Sequence, residues 1–262
     1  MKPLTLARDL QRRRARERTR LFSAEGVRGV EELLASPLRM RSVVLAPCLR
    51  ETERGATLES ALRNAAIERG FAVSDVTDAE LASAADTNTT QGIIAIAEQP
   101  ERSFGDVNSA GLILLLDGIQ DPGNLGTILR TAQAFGVAAT VALPGTVDLW
   151  NPKVVRSAMG ALFSHLAFHS SVVDALKFLH GHAIPIWTTS VAGEPIGEPI
   201  GEPIGEPSSA RALAIVVGNE GSGVSSELTA AANRTVAIPI HGVESLNVAV
   251  ATGILLYALT AA

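Results

Sequence analysis

Three separated stretches in the last 150 residues restrict this chain to few folds: Asp121-Pro-Gly-Asn-Leu-Gly-Thr-Ile-Leu-Arg130, Val217-Gly-Asn-Glu-Gly-Ser-Gly-Val224 and Ile238-Pro-Ile-His-Gly-Val-Glu-Ser-Leu-Asn247. Each follows an apolar run and precedes residues that suit a helix. Each therefore falls where a strand ends and a loop turns, the position at which open α/β sheets place their ligands. One Gly-rich strand-to-helix turn can serve only a tight turn. Three in succession predict an α/β protein whose strand ends carry one composite site.

The rest of the second half supports that sheet. Leu112 to Leu116 is an unbroken apolar run, as expected of a parallel strand buried on both faces. A helix over 124–135, a strand over 138–142, a helix from about Asn151, a strand near Leu166, a helix over 171–180 and a strand over 184–188 continue the alternation. Val248 to Ala262 reads as a buried terminal helix, shorter than the roughly 20 residues needed to cross a bilayer. At 262 residues two domains are expected. Pro100, Gly105 and Asp106 mark a linker, giving an amino-terminal domain over 1–100, a linker over 101–109 and a second domain over 110–262.

The amino-terminal part alternates too. It predicts a helix over 24–35 capped by Ser23, a strand over 42–46, a helix over 58–69 ended by Gly70, and strands over 71–76 and 92–97. Its charge is distinctive. The chain carries a formal net charge of −5, yet the acidity is confined to the second half. The opening segment holds Arg12, Arg13, Arg14, Arg16, Arg18 and Arg20, the one basic cluster, which is expected to be an RNA-contacting arm because arginine supplies planar phosphate contacts. A solvated helix is the plainer alternative. No apolar centre follows these arginines as in a signal peptide, and the single cysteine, Cys48, suits a reducing compartment, so a cytoplasmic protein is expected.

Gly193-Glu-Pro-Ile repeats through Gly197, Gly201 and Gly205 to Pro207. Proline every fourth residue forbids a regular helix, and glycine at the same period disfavours a strand, so 193–207 is expected to be an exposed loop. A metal is not expected: His165 and His169 share a strand face without a third ligand, and His180 and His182 flank a glycine in a loop.

Asn124, Gly126 and Arg130 form N-x-G-x-x-x-R; Ile215-Val-Val217 runs into Gly218, Glu220, Gly221 and Gly223; Ile238 and Pro239 are followed by Ser245, Leu246 and Asn247. In this order the three resemble the motifs of the SpoU branch of the SPOUT superfamily, RNA ribose 2'-O-methyltransferases that use S-adenosylmethionine. The resemblance covers about residues 111 to 260. It implies a parallel-sheet domain with a deep trefoil knot, which no sequence periodicity reveals. The run Arg20-Leu-Phe-Ser-Ala-Glu-Gly-Val-Arg28, with Thr89-Thr-Gln-Gly-Ile93, is similar to the small amino-terminal α/β substrate-binding domain of such enzymes, which looks like certain RNA-binding ribosomal proteins.

On the matching positions the resemblance implies that Thr189, Gly218, Ile238 and Leu246 hold the cofactor. Asn124, Arg130, Glu220, Ser245 and Asn247 would line the acceptor side, and Arg156 would contact RNA beside Asn151 and Ser157. It also implies a homodimer paired through the terminal helix. Plainer roles exist for several of these: Asn124, Ser245 and Asn247 also suit helix caps, and Arg130 a surface arginine. A guanidinium stays protonated at neutral pH, so Arg130 is expected to grip phosphate and stabilise the developing alkoxide, with Glu220, Ser245 or water taking the proton. The expected activity is ribose 2'-O-methylation of ribosomal RNA. Alternatives are a transfer RNA ribose or base methyltransferase of the same fold and a non-catalytic RNA-binding or ribosome-assembly factor. A dinucleotide-dependent oxidoreductase lacks its G-x-G-x-x-G after the first strand.

Overall fold

The computed structural model describes residues 2–87, 89–196 and 212–260. The chain divides into two compact units, one of residues 1–101 with 150–164, the other of residues 102–149 with 165–262.

The first unit opens with two short helices, α1 (Pro3–Asp9) and α2 (Arg13–Thr19), which together carry the arginine-rich arm. Ala7 and Leu10 are fully buried, against Val44, Ile94 and Ile96. These two apolar residues anchor the arm to the sheet. Strand β1 (Leu21–Glu25) leads through Gly26 into α3 (Val27–Ala35), so Ser23 is a buried strand residue and not the expected cap. Then come β2 (Met40–Leu45), α4 (Glu53–Arg69), β3 (Ala72–Asp75), α5 (Asp78–Ala82) and β4 (Ile93–Glu98). Thr52 caps α4 by accepting from Gly55 N, and Gly70 ends it in the left-handed region at φ 73°. The four strands form one sheet in the order β1-β4-β2-β3, with only β2 and β3 parallel.

The second unit begins with β5 (Leu112–Asp117), α6 (Pro122–Ala134) and β6 (Ala139–Ala142). The chain then forms α7 (Pro152–Ser157) and α8 (Ala161–Ser164), which belong to the first unit. It returns through β7 (Ala167–His169), α9 (Val172–Gly181), β8 (Ile186–Pro195), β9 (Leu213–Gly218), α10 (Ser226–Ala231), β10 (Arg234–Ala237) and α11 (Val248–Thr260). Six strands lie in the order β10-β8-β9-β5-β6-β7, and every pairing is parallel. β5 and β9, the central pair, are apolar along nearly their whole length, as a doubly covered strand must be.

Residues 150–164 depart from the expected division, in which they belong to the second domain. Aromatic packing explains it: Phe22 of β1 lies 4.4 Å from the Trp150 ring and 5.6 Å from that of Phe163. Such pairs contribute about 1 kcal/mol each beyond the area they bury. The Gly-Glu-Pro-Ile segment departs as well. Its first copy continues β8, with Glu194 opposite Val236 and Pro195 opposite Ala237 beyond a register shift, while residues 197–207 lie outside the described residues. Arg234 holds this extension, stacking 5.2 Å from the Trp187 ring and pairing with Glu194 at 2.5 Å. His180 lies in the last turn of α9 and His182 caps it, so neither is in the expected loop.

Among the described residues no helix is long and apolar enough to cross a membrane, and no three His, Cys, Asp or Glu side chains are grouped to hold a metal. His165 Nε2 lies 2.7 Å from Thr140 Oγ1, and burial, helped by Arg102, pushes its pKa down to about 4. It is a neutral core residue at physiological pH.

An ion network built on the buried Glu59 and two more exposed arginines ties α4 to its surroundings. Glu59 accepts from Arg50 at 2.6 and 2.7 Å and from Arg63 at 2.9 Å. The Arg50 bonds, with help from Arg63, hold its carboxyl at about 2 against the cost of burial. Because the folded pKa is depressed, this stabilisation is complete above the ordinary carboxylate value and disappears as pH falls toward about 2. Glu59→Gln should cost about 2 kcal/mol of stability at pH 7 in chemical denaturation. The deficit relative to wild type should narrow steadily below about pH 4.5.

Candidate active site

The segments of residues 121–130, 217–224 and 238–247, the first of them the cap and opening turns of α6, meet beyond the carboxyl ends of β5, β9 and β10. β5 and β9 are paired in register from Leu112 with Leu213 to Asp117 with Gly218, so their exit loops start side by side. From β5 the chain moves toward β6 on one side, while the strand on the other side of β9 is β8. This reversal of strand order opens a crevice where parallel sheets bind ligands.

Two side-chain hydrogen bonds fasten the loops together. Asn124 Nδ2 donates to Glu220 Oε1 at 3.0 Å, and Asn247 Nδ2 donates to Asn124 Oδ1 at 3.0 Å. The Asn124 amide, half-buried, is thus a bridge with its donor and acceptor both used. Asn124 does not cap its helix. Asp121 does so, accepting from Asn124 N at 2.7 Å, with Pro122 at the first helical position where its missing N–H costs nothing. Asn247 also acts as a cap, since its Oδ1 accepts from Ala249 N and Val250 N at the start of α11.

Burial works to raise the Glu220 pKa, but the bonds from Asn124 and from the main chain of Glu220, Gln120 and Asp121 outweigh it, and the net shift is downward. An ionised carboxylate with lowered proton affinity and engaged oxygens is a good tether and a poor proton acceptor. Ser245 is exposed and Arg130 lies on the exposed side of α6, nearly two turns beyond the bridge.

The expected cofactor positions come from four segments. Thr189 lies within β8, just past its pairing with β9, and donates to the Val216 carbonyl at 3.0 Å. Ile238 follows β10 and Leu246 precedes α11, both half-buried. Gly218 ends β9, and the reason for glycine there is internal: a Cβ would sit 2.2 Å from Gly223 C and 2.3 Å from Val224 N. The loop doubles back on itself, with Asn219 N bonded to Gly223 O at 3.0 Å and Gly223 N to Asn219 O at 2.9 Å. Half-buried apolar side chains beside turning main chain suit a planar heterocycle held by backbone groups, so these residues fit in type the adenosyl part of S-adenosylmethionine.

Three further residues, not expected from the sequence, organise these loops. Asn219 donates to Gly118 O at 2.7 Å and accepts from Gly221 N and Ser222 N, locking the second loop to the first. Thr146 accepts from Gly118 N and donates to Leu116 O. Asp117 accepts from Ser225 N at 2.7 Å. Local spacing does not signal these roles, because each depends on a strand or loop distant in sequence. In the first unit the structure separates the arginines. Arg12, Arg13, Arg14, Arg18 and Arg20 are exposed or half-buried, whereas Arg16 is only 2% exposed and donates to the carbonyls of Leu10 and Gln11. Arg16 closes the turn between α1 and α2 and is unavailable to a phosphate. Arg156, also in this unit, pairs with Asp86 at 2.8 Å.

Both parts of the chain resemble known proteins. Residues 111–257 match the SpoU rRNA Methylase family, and residues 5–95 match the MRM3-like substrate binding domain. The chain is 33% identical over 252 residues to the 23S rRNA (guanosine(2553)-2'-O)-methyltransferase RlmP of Bacillus subtilis (strain 168), an alignment covering 95% of this chain and 92% of that one. A TrmH-family protein of Porphyromonas gingivalis has the same fold with a TM-score of 0.81 at 31% identity, over 98% of this chain and 96% of that one. An AdoMet-bound rRNA methyltransferase of Sinorhizobium meliloti also gives a TM-score of 0.81, at 27% identity over 98% and 94%.

Gly218→Ala forces Gly223 and Val224 away and should unseat the Asn219 turn. Calorimetry should then find binding of S-adenosylmethionine weakened by at least about tenfold, the cost of roughly one lost loop contact set. The melting temperature should change little, because the strand itself remains paired. Unchanged cofactor affinity would show that the Gly218 turn does not shape the site.

Proposed function

We propose that this chain, which belongs to the SpoU rRNA methylase family, transfers the methyl group of S-adenosylmethionine to a ribose 2'-hydroxyl of ribosomal RNA. The observation that carries this assignment is the Asn247–Asn124–Glu220 bridge, which draws the three family motifs into one site. The match of a substrate-binding domain to the first unit supports a large RNA as substrate. S-adenosylmethionine supplies an electrophilic methyl group when bound. Thr189, Gly218, Ile238 and Leu246 would hold it, largely by main chain and apolar contact.

The protein's own residues then grip the RNA, aim the hydroxyl and manage its proton. Arg130 is the phosphate grip and the stabiliser of the developing alkoxide, since its guanidinium stays charged at neutral pH and carries a planar donor fork. Asn124, Glu220 and Asn247 are positioning residues that fix the loops around it. With Glu220 a weak base, the proton passes to water, with the exposed Ser245 hydroxyl as its relay. Arg12, Arg13, Arg14, Arg18 and Arg20 form an RNA-contacting face, and Arg156 adds a further contact.

The family fold further implies a trefoil knot and a homodimer, and the single cysteine, Cys48, suits a reducing, cytoplasmic location. The dimer has physical support: α11 exposes Val250 (54%), Ile254 (39%) and Tyr257 (63%), and Tyr257 lies 6.3 Å from Phe135 at the end of α6. This apolar strip adjoins the helix of Arg130, so a partner docked there would complete the acceptor side. Sedimentation should find a dimer, and an active monomer at assay concentration would exclude it.

Arg130→Ala should lose nearly all methyl transfer while binding S-adenosylmethionine normally, and Arg130→Lys should retain part of the rate. Full transfer by purified Arg130→Ala would remove any catalytic role. Replacing Arg12, Arg13, Arg14 and Arg18 by glutamine should flatten the salt dependence of RNA binding by up to roughly 3 in log–log slope, with cofactor affinity unchanged. Arg16→Ala should instead lower the melting temperature.

A further inference from the structure

A cavity of about 240 Å³ opens in the first unit beside the start of α3, and nothing in the methyl-transfer site uses it. Ala24, Val155 and Met159 give it an apolar lining, and Arg28, Thr89, Gln91 and Arg156 a polar one. Segments far apart in sequence converge here. The β1–α3 turn, the loop before β4 and helix α7 each contribute a wall.

Hydrogen-bond accounting defines what the cavity can take. Glu25, the wall carboxylate, is already engaged, accepting from Asp86 N at 2.9 Å and from the Thr87 hydroxyl. Gln91 Oε1 accepts from Val27 N at 2.8 Å, which leaves Nε2 as an open double donor. Arg28 is exposed and has no acidic partner among the described residues. Arg156 gives one N–H to Asp86 and keeps others. The acceptors are thus largely spent and the open groups are mostly donors, two of them cationic, around an apolar floor.

We infer that this cavity seats one unpaired nucleobase of the RNA substrate, a base presenting carbonyl oxygens such as uracil or guanine, with the adjoining phosphate gripped by Arg28 and Arg156. The apolar floor takes the face of the base, Gln91 Nε2 donates to its carbonyl edge, and the guanidinium groups meet the backbone. Proteins read unpaired RNA bases in this manner, by stacking and edge contacts. The volume suits one base and is too small for a drug-sized ligand, which needs about 300 Å³ or more. A free phosphate would leave the apolar floor uncovered, and a metal ion would find Glu25 occupied. The inference rests on the RNA-modifying function proposed above.

Gly29 offers a clean test. It lines the cavity, and a Cβ built on it meets nothing within 4 Å, so the side chain of Gly29→Phe starts from open space at the cavity wall. The full-length protein, Gly29→Phe, Gly29→Ala and Arg28→Gln would be titrated with fluorescent six-nucleotide oligouridylate and oligoadenylate, and with S-adenosylmethionine by calorimetry. Gly29→Phe should bind oligouridylate about tenfold or more weakly, the size of one lost base contact, and Gly29→Ala should match wild type. Arg28→Gln should lower the salt slope by roughly 0.7, and wild type should prefer uridylate to adenylate. Melting temperature and cofactor binding should stay unchanged in all variants. Wild-type affinity in Gly29→Phe, or equal affinity of wild type for the two oligomers, would overturn the inference. Failure of wild type to bind S-adenosylmethionine, with the base preference intact, would strike the methyltransferase function and leave the base seat standing.

Discussion

The Asn124 amide is the tie on which the site depends. An amide has a donor end and an acceptor end, and here each is taken by a different loop: Glu220 receives from it, and Asn247 gives to it. No hydroxyl of similar reach provides two donors and a separate carbonyl, and a carboxylate in its place would face Glu220 with like charge. Because Asn247 also binds the first turn of α11, the bridge runs from the head of α6 through to the head of the terminal helix. The crevice is therefore set by strand order and then closed by side chains. Parallel pairing of β5 with β9 brings two loops together, and the bridge recruits the third from β10.

Much of the glycine in these loops serves the protein's own main chain. At Gly218 the absent Cβ makes room for Gly223 and Val224, and Asn219 then pins the doubled-back turn to Gly118. A ligand held by such a turn meets main-chain groups that are already oriented. Little ordering is left to be done on binding, which is how preorganised sites gain affinity. The same economy appears at Glu220, whose engaged oxygens fix geometry at the expense of basicity.

The two units divide the electrostatic work. The acidic half of the sequence builds the parallel sheet and the transfer site, and the basic cluster lies on the first unit, held by Ala7 and Leu10. Its arginines are not equivalent. Arg16 is consumed in the turn between α1 and α2, while Arg12, Arg14 and Arg18 remain on the surface. Helices α7 and α8, carried by the second half of the chain, pack Trp150 and Phe163 on Phe22 and bring Arg156 to the wall of the base-sized cavity.

Sequence alone determined the alternation of strands and helices, because an apolar run such as Leu112 to Leu116 can be satisfied only inside a doubly covered sheet. It also determined the three loops, since glycine, proline and asparagine at those spacings carry backbone geometry that few alternatives tolerate. It missed β1, whose Leu-Phe-Ser-Ala-Glu lacks β-branched residues and becomes a strand by pairing with β4 and by aromatic cover from residues far along the chain. It misjudged the first Gly-Glu-Pro-Ile copy, because an edge extension held by Arg234 and Trp187 accepts a proline that a central strand would reject. Only the tertiary structure decided that Asn124 is a bridge and not a cap, that Arg16 is buried, and that residues 150–164 complete the first unit. Each of those outcomes depends on a partner distant in sequence or on burial, and neither is encoded in local spacing.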